Sequence, residues 1–354
     1  MRRLLLLTLI AGPARAEDLK TVVERNAQPL VKDKPYATVV VGVVTKGDEQ
    51  VFAFGQWDGK APERDSVYEI GSVTKAFTGV LLAERVKAGV VKLDDPVQKH
   101  LPDGWTVPRR DDRDITLLHL ATHTSGLPKQ ADGFLAATLA NIRNPYSKYD
   151  AAVLCKGLAT TKLQSAIGAR YDYSNLGVGL LGHALAHASK APNYEAILTD
   201  RVLKPLGMTD TGITLTESQG KRLIPGHAAD GKRQDNWDFA SIEACGALRS
   251  TAGDMLKFVK ANAEQAGPLK DALEMSHECW RVVRPKEEEI GLCWVRFPAK
   301  NAPPTIWHNG QTGGYHSFVG FVSGSGGVVV MCNVATMKVD EVGLAVLKHL
   351  AEAK

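Results

Sequence analysis

The chain is poor in cysteine: Cys155, Cys245, Cys279, Cys293 and Cys332 are its only five. They are scattered and odd in number, so neither a disulfide scaffold nor a close-spaced metal knuckle is encoded. Most are expected to be buried small hydrophobes, with one bridge left open. There is no basic stripe and no block of like charge, which argues against a nucleic-acid partner. No apolar run reaches the length needed to cross a bilayer. No Gly-x-Ser-x-Gly elbow is present, which disfavours an α/β-hydrolase. What remains is an ordinary globular composition over 354 residues, 44% hydrophobic and 23% charged, with ample material for a large core.

Residues 1–16 read as a secretory signal peptide. Arg2 and Arg3 precede the apolar run Leu4 to Ile10, Gly12 and Pro13 break it, and Ala14-Arg15-Ala16 offers a small-x-small cleavage site. The alternative is an amphipathic starter helix. No cysteine lies near the cleavage point, so no lipoprotein anchor is expected. Three arginines of the formal +4 sit in this segment, leaving about +1 on the rest. The expectation is an exported, periplasmic monomer without a stable membrane anchor.

The remainder falls into three stretches. Ala37 to Val44 and Val51 to Phe54 flank Lys46-Gly47-Asp48, a β-hairpin. From Ser72 to about 215 the apolar spacing is helical, notably over Phe77–Val86, Ile115–Leu120 and Leu176–Ala186. Strand patterns return at Ile290–Phe297, His316–Ser323 and Gly327–Cys332, and a helix over Val339–Ala353 closes the chain. This predicts an α/β fold of the α+β type. An antiparallel sheet built from both ends is flanked by N- and C-terminal helices, with an all-helical domain inserted. The sheet domain comprises residues 17–71 and 240–354, the mainly helical domain 72–239, and the cleft between them is the place for a site.

Ser72 and Lys75 lie one helical turn apart, so an amine can sit beside a hydroxyl and activate it. Gly71 lets the chain turn into a helix start, where unpaired N–H groups favour negative charge. Alone, such a pair occurs by chance about once in a chain this long. Tyr173 and Asn175, two apart at another helix start, can face one cleft, with Lys75 lowering the tyrosine's pKa so that it acts as a base. The plainer reading is an aromatic loop anchor and an Asn cap. His308-Asn309-Gly310-Gln311, with Gly313 and Gly314, suits a strand edge approaching a ligand, although a bulge or turn accounts for the glycines alone.

Other patterns are weaker. Gly177-x-Gly179-x-x-Gly182 fits a dinucleotide fingerprint, but no strand precedes it, and close helix packing is the better reading. His119/His123 and His183/His187 have the i,i+4 spacing of metal ligands without the accompanying glutamate. No metal and no cofactor are expected.

Taken in order, Ser72-x-x-Lys75, Tyr173-x-Asn175 and His308-x-Gly310 resemble the signature of the serine β-lactamase and penicillin-binding family. The flanks Tyr68 to Leu81, Ile115 to Pro128, Tyr173 to Gly182, Leu248 to Met255 and Thr312 to Phe321 look like class C β-lactamases. The resemblance implies that Ser72 attacks a lactam carbonyl to form an acyl-enzyme and that Lys75 assists. It makes Tyr173 the base for the hydrolytic water. Asn175 and Gln130 would bind the substrate's side-chain amide, with His308, Asn309 and Gly310 along the opposite edge. Backbone N–H groups of Ser72 and Gln311 would form the oxyanion hole. His308 stands where class C enzymes carry lysine; an exposed imidazole there would make carboxylate recognition weaker and activity change between pH 5 and 8. The resemblance favours β-lactam hydrolysis, followed by DD-carboxypeptidase, endopeptidase or esterase action. A non-catalytic sensor acylated by penicillins is the reading from another class.

Overall fold

A computed structural model describes residues 17–352 of the chain. Residues 1–16, read from sequence as a signal peptide, lie outside the described residues. Among the described residues no helix is long and apolar enough to cross a membrane.

The chain starts with helix α1 (Leu19–Val31), capped by Asp18, and the hairpin β1 (Thr38–Thr45) and β2 (Asp48–Gly55). A short β3 (Val67–Glu69) follows. The helical stretch comprises α2 (Thr74–Lys87), α3 (Leu117–Ala121), α4 (Phe134–Ala140), α5 (Ala151–Thr160), α6 (Asn175–Ala188), α7 (Tyr194–Leu198) and α8 (Glu217–Lys221). Next come β4 (Arg249–Thr251), α9 (Ala252–Glu264) and α10 (Lys270–His277). Strands β5 (Arg281–Arg284), β6 (Glu288–Ile290), β7 (Val295–Ala299), β8 (Ala302–Gln311), β9 (His316–Val322) and β10 (Gly326–Cys332) precede α11 (Lys338–Glu352).

The main sheet is antiparallel with eight strands in the order β2-β1-β10-β9-β8-β7-β6-β5; β3 and β4 form a separate pair. The first hairpin thus adds to the last strands of the chain, Val41 facing Val330 across the join. The unbroken Val39–Val44 run explains why β1 can sit inside the sheet. Val39, Val41 and Val43 belong to a core shared with α1 and α11, and Val40 and Val44 belong to the larger core on the other face. A strand covered on both sides shows no polar alternation.

The predicted fold class holds. Two details differ. Ile290 and Val295 belong to separate strands, β6 and β7, and pair across the turn between them. The residues around His308, anticipated as a glycine-rich approach to a strand, form the end of β8. In α6, a Cβ on Gly179 or Gly182 would collide with Ile242 or Ala244 at 2.5 and 2.3 Å, so these glycines serve close packing.

Candidate active site

Ser72 sits in a single 3-10 turn, Gly71–Val73, which leads directly into α2. Gly71 has φ +49°, and a Cβ there would lie 2.7 Å from the Gln311 backbone nitrogen, so only glycine permits this approach. Thr74 Oγ1 donates to Gly71 O at 2.7 Å and accepts from Leu248 N at 3.1 Å, fixing the turn against the segment before β4.

Lys75, in the first turn of α2, is wholly buried. Its Nζ donates to Ser72 Oγ at 3.0 Å, Asn175 Oδ1 at 2.8 Å and Cys245 O at 2.6 Å. An ammonium has three donors, and all three are used. Burial lowers its pKa to about 8 from 10.5. In the neutral amine, two hydrogens can stay on the two carbonyl-type oxygens, which leaves the lone pair directed at Ser72 Oγ.

Asn175 is free for this role because Ser174 caps α6 instead, its hydroxyl accepting from Gly177 N at 2.9 Å. The Asn175 amide donates to Tyr146 OH at 3.2 Å, and Gln130 Nε2 donates to the same hydroxyl at 3.0 Å. Gln130 therefore reaches the site through Tyr146 and does not itself line the cleft. Its Oε1 is buried without a protein partner.

Tyr173 lines the cleft beside Ser72, and burial pushes its pKa above the usual tyrosine value. Lys75 Nζ lies over the Tyr173 ring, 4.8 Å from its centroid, rather than beside the oxygen. The expectation that Lys75 lowers this pKa is overturned: desolvation outweighs the cation because the amine addresses the ring face.

The other wall is the end of β8. Thr312 N donates to Tyr315 O at 3.1 Å, so hydrogen-bonded pairs of the β8/β9 ladder alternate back from there. Gln311, opposite His316, falls at a non-bonded pair, and its N–H turns away from β9. The last β8 residue facing β7 is Trp307, so the edge beyond is open. A Cβ on Gly310 would meet Ile70 O at 2.0 Å and Ser72 N at 2.8 Å. Its absence lets the strand lie against the Ser72 turn. Ser317 Oγ donates to Ile70 O at 2.7 Å across the same contact.

His308 is 4% exposed and lies behind Tyr173, ring centroids 6.5 Å apart. Burial, reinforced by Lys75, lowers its pKa to about 4. The expected exposed imidazole titrating near neutrality is replaced by a buried neutral one. His123, at φ +55°, packs on the other side of Tyr173 at 4.6 Å and accepts from Ser174 N at 3.2 Å. Burial likewise holds it well below the ordinary histidine value.

These walls enclose an open cleft of about 560 Å³, lined by Ser72, Tyr173, Asn175, Asn309, Gly310 and Gln311 among others. Thr312 and Gly313 continue the strand side, and Tyr146, Trp237, Lys129, His316 and Met337, which were not singled out from sequence, complete the lining. Cys245 contributes only a carbonyl, which has no sequence signature; His123 sat within the recognised Ile115 to Pro128 segment. Three of the four paired histidines have ordinary partners: His119 Nδ1 accepts from Thr116 N, His123 Nδ1 from Ser174 N, and His183 Nε2 donates to Ser241 O. Among the described residues no group of three or more metal-ligating side chains occurs. All five cysteines are free, three of them buried.

A serine beside a buried amine, in this α/β fold, defines the class: a serine hydrolase. The chain belongs to the Beta-lactamase family, which it matches over residues 23–353. It is 33% identical over 306 residues to the D-alanyl-D-alanine-carboxypeptidase/endopeptidase AmpH of Escherichia coli K12, covering 81% of this chain and 76% of the relative. It is 28% identical over 356 residues to a beta-lactamase of Pseudomonas fluorescens, covering 90% and 94%. A crystal structure of a beta-lactamase/D-alanine carboxypeptidase from Yersinia pestis superposes with a TM-score of 0.79 at 25% identity, covering 94% of this chain and 98% of that one.

Proposed function

We propose that this chain hydrolyses β-lactams through an acyl-enzyme on Ser72. The observation that carries the reading is the donor set of Lys75: two fixed oxygens hold it while its third contact is Ser72 Oγ at 3.0 Å. As Lys75 gives up a proton, Ser72 donates its own to the lone pair and attacks the carbonyl. The Ser72 and Gln311 N–H groups stabilise the oxyanion, a contribution of about 10²–10³ in rate per donor. Tyr173 keeps its proton at rest, so Lys75 is the resting base and the Tyr173 hydroxyl carries protons between it, the leaving group and the incoming water. Asn175 and Tyr146 hold the acyl side chain, with Gln130 supporting Tyr146 from outside the cleft; Asn309 and Gly310 line the other side, and His308 supports Tyr173 from behind.

A second reading, DD-carboxypeptidase or endopeptidase action, is favoured by the 33% identity to AmpH and by the neutral His308. Both readings share the acyl-enzyme and differ in which acyl donor turns over. The non-catalytic sensor shares acylation but not release. We also propose that residues 17–71 with 240–354 and residues 72–239 are the two domains flanking the cleft, and that residues 1–16 direct export of a periplasmic monomer.

A chromogenic cephalosporin tests the first reading. Sustained turnover that Ser72→Ala abolishes supports it. A single stoichiometric burst removes it in favour of the peptidase or sensor, which release of D-alanine from a D-alanyl-D-alanine peptide then separates. Hydrolysis of a p-nitrophenyl ester alone would point to an esterase.

A further inference from the structure

The two proposed oxyanion donors come from different elements, so their spacing depends on where the β8/β9 tip is held. On one face Ser317 ties the tip to Ile70, two residues before Ser72. On the opposite face stands Asp340, in the first turn of α11. Its Oδ2 accepts from Asn309 Nδ2 at 2.6 Å and its Oδ1 accepts from His316 Nε2 at 2.8 Å. Asn309 is on β8 and His316 is on β9, directly opposite Gln311. One carboxylate therefore bridges both strands of the tip where β7 no longer supports β8. Asp340 is itself anchored, since its neighbours Val339 and Val342 are buried in the core beneath α11. His316 is 1% exposed and its other ring nitrogen has no protein partner, so Asp340 provides the ring's one protein hydrogen bond.

We propose that Asp340 is a positioning residue for the oxyanion hole: it staples the β8/β9 tip to α11 and so sets the Gln311 N–H against the Ser72 N–H. Without the staple the tip is held on one face only, and the second donor is out of register in the transition state. An electrostatic site of this kind acts through preorganisation, so loosening it lowers the rate rather than ground-state binding. The role rests on the oxyanion-hole reading of Gln311, and the experiment separates the two.

The rate of Ser72 acylation by a reactive ester or a chromogenic cephalosporin is measured for Asp340→Ala, Asp340→Asn and Gln311→Pro. Proline removes the Gln311 donor at a position β7 no longer pairs; because the Ser72 turn packs close to that nitrogen, the thermal midpoint is recorded beside the rate. Gln311→Pro alone tests the hole, with a loss of roughly 10²–10³ expected. Asp340→Ala should lower kcat by about 10-fold or more with KM within about threefold, and Asp340→Asn, which keeps one acceptor, should recover most of it. In the Gln311→Pro background Asp340→Ala should cost nothing further, because the donor it positions is gone. His316→Gln, which breaks one arm of the staple at unchanged backbone, carries the same test if Asp340→Ala does not fold. Equal Asp340→Ala losses with and without the Gln311 donor, or a loss confined to KM, overturn the positioning role. A Gln311→Pro variant at full rate overturns the hole and the staple together.

Discussion

The two walls of the cleft are built on opposite principles. The helical wall concentrates side chains: Lys75 bonds Ser72 directly, Asn175 bonds Lys75, Tyr146 bonds Asn175, and the Tyr173 ring packs against the Lys75 amine. It holds the one amine whose pKa, about 8, allows a proton to leave near neutrality. The strand wall supplies backbone N–H groups, and its His308 is pushed to about 4. One wall moves protons; the other holds charge still while it forms. Each needs burial, for contrary reasons: desolvation turns Lys75 into a base and keeps His308 from becoming an acid.

The comparison predicts unequal losses. On the helical wall Ser72→Ala should reduce turnover to background, and Lys75→Met should come within about tenfold of it, since nucleophile and activator act as a unit. Single-turnover kinetics with a chromogenic cephalosporin checks both; a Lys75→Met enzyme retaining a tenth of wild-type acylation would break the assignment of the base. On the strand wall Gly310→Ala places a Cβ 2.0 Å from Ile70 O, so the strand must back away from Ser72 N. Its expected loss is about 10²-fold in kcat, close to removal of one oxyanion donor, with the thermal midpoint reporting any cost to folding.

The pH profile sharpens the contrast. If the free amine of Lys75 drives attack, the acylation rate rises with pH up to about 8 and levels above it. His308, already neutral above about 4, adds no step between pH 5 and 8. A bell or step centred near 6.5 that disappears in His308→Gln would contradict the burial described for that residue.

The helical wall was the more legible from sequence, for a physical reason. Ser72 and Lys75 are one helical turn apart, and Tyr173 and Asn175 flank the extended Ser174 just before α6, so each pair falls on one side; the hydroxyl and amine types declare their chemistry. The strand-wall residues were named, yet their environment was not: whether His308 is exposed depends on what packs against β8 from sequence positions hundreds of residues away. The buried Tyr173 pKa failed for the same reason, because desolvation is a property of the assembled cleft. The antiparallel sheet and its terminal helices were readable because β1 and β10 are apolar throughout and α11 keeps its helical spacing. Asp340 was invisible. A carboxylate in a helix's first turn, here with Glu341 beside it, reads as a dipole partner, and only the β8/β9 register reveals what it bridges.

The smallest effect concerns stability. A histidine whose folded pKa is about 4 and whose unfolded value is 6.5 contributes its full share of stability above pH 6.5 and loses it as pH falls toward 4. The unfolded chain takes up the proton first, so acid favours unfolding. For His308 the whole window corresponds to about 3 kcal/mol, on the scale of 1.36 kcal/mol per pKa unit. His277, lowered to about 3 by burial, adds a similar slope from the α10 side. Unfolding free energies from urea titrations at pH 7 and 4.5 should therefore differ by roughly 2–3 kcal/mol less in His308→Gln than in wild type. Lys75 does not blur the measurement, because it is protonated in both states throughout that range. Equal acid sensitivity of wild type and His308→Gln would mean that water reaches the ring, and the strand wall would then lose the neutrality that sets it apart from the helical one.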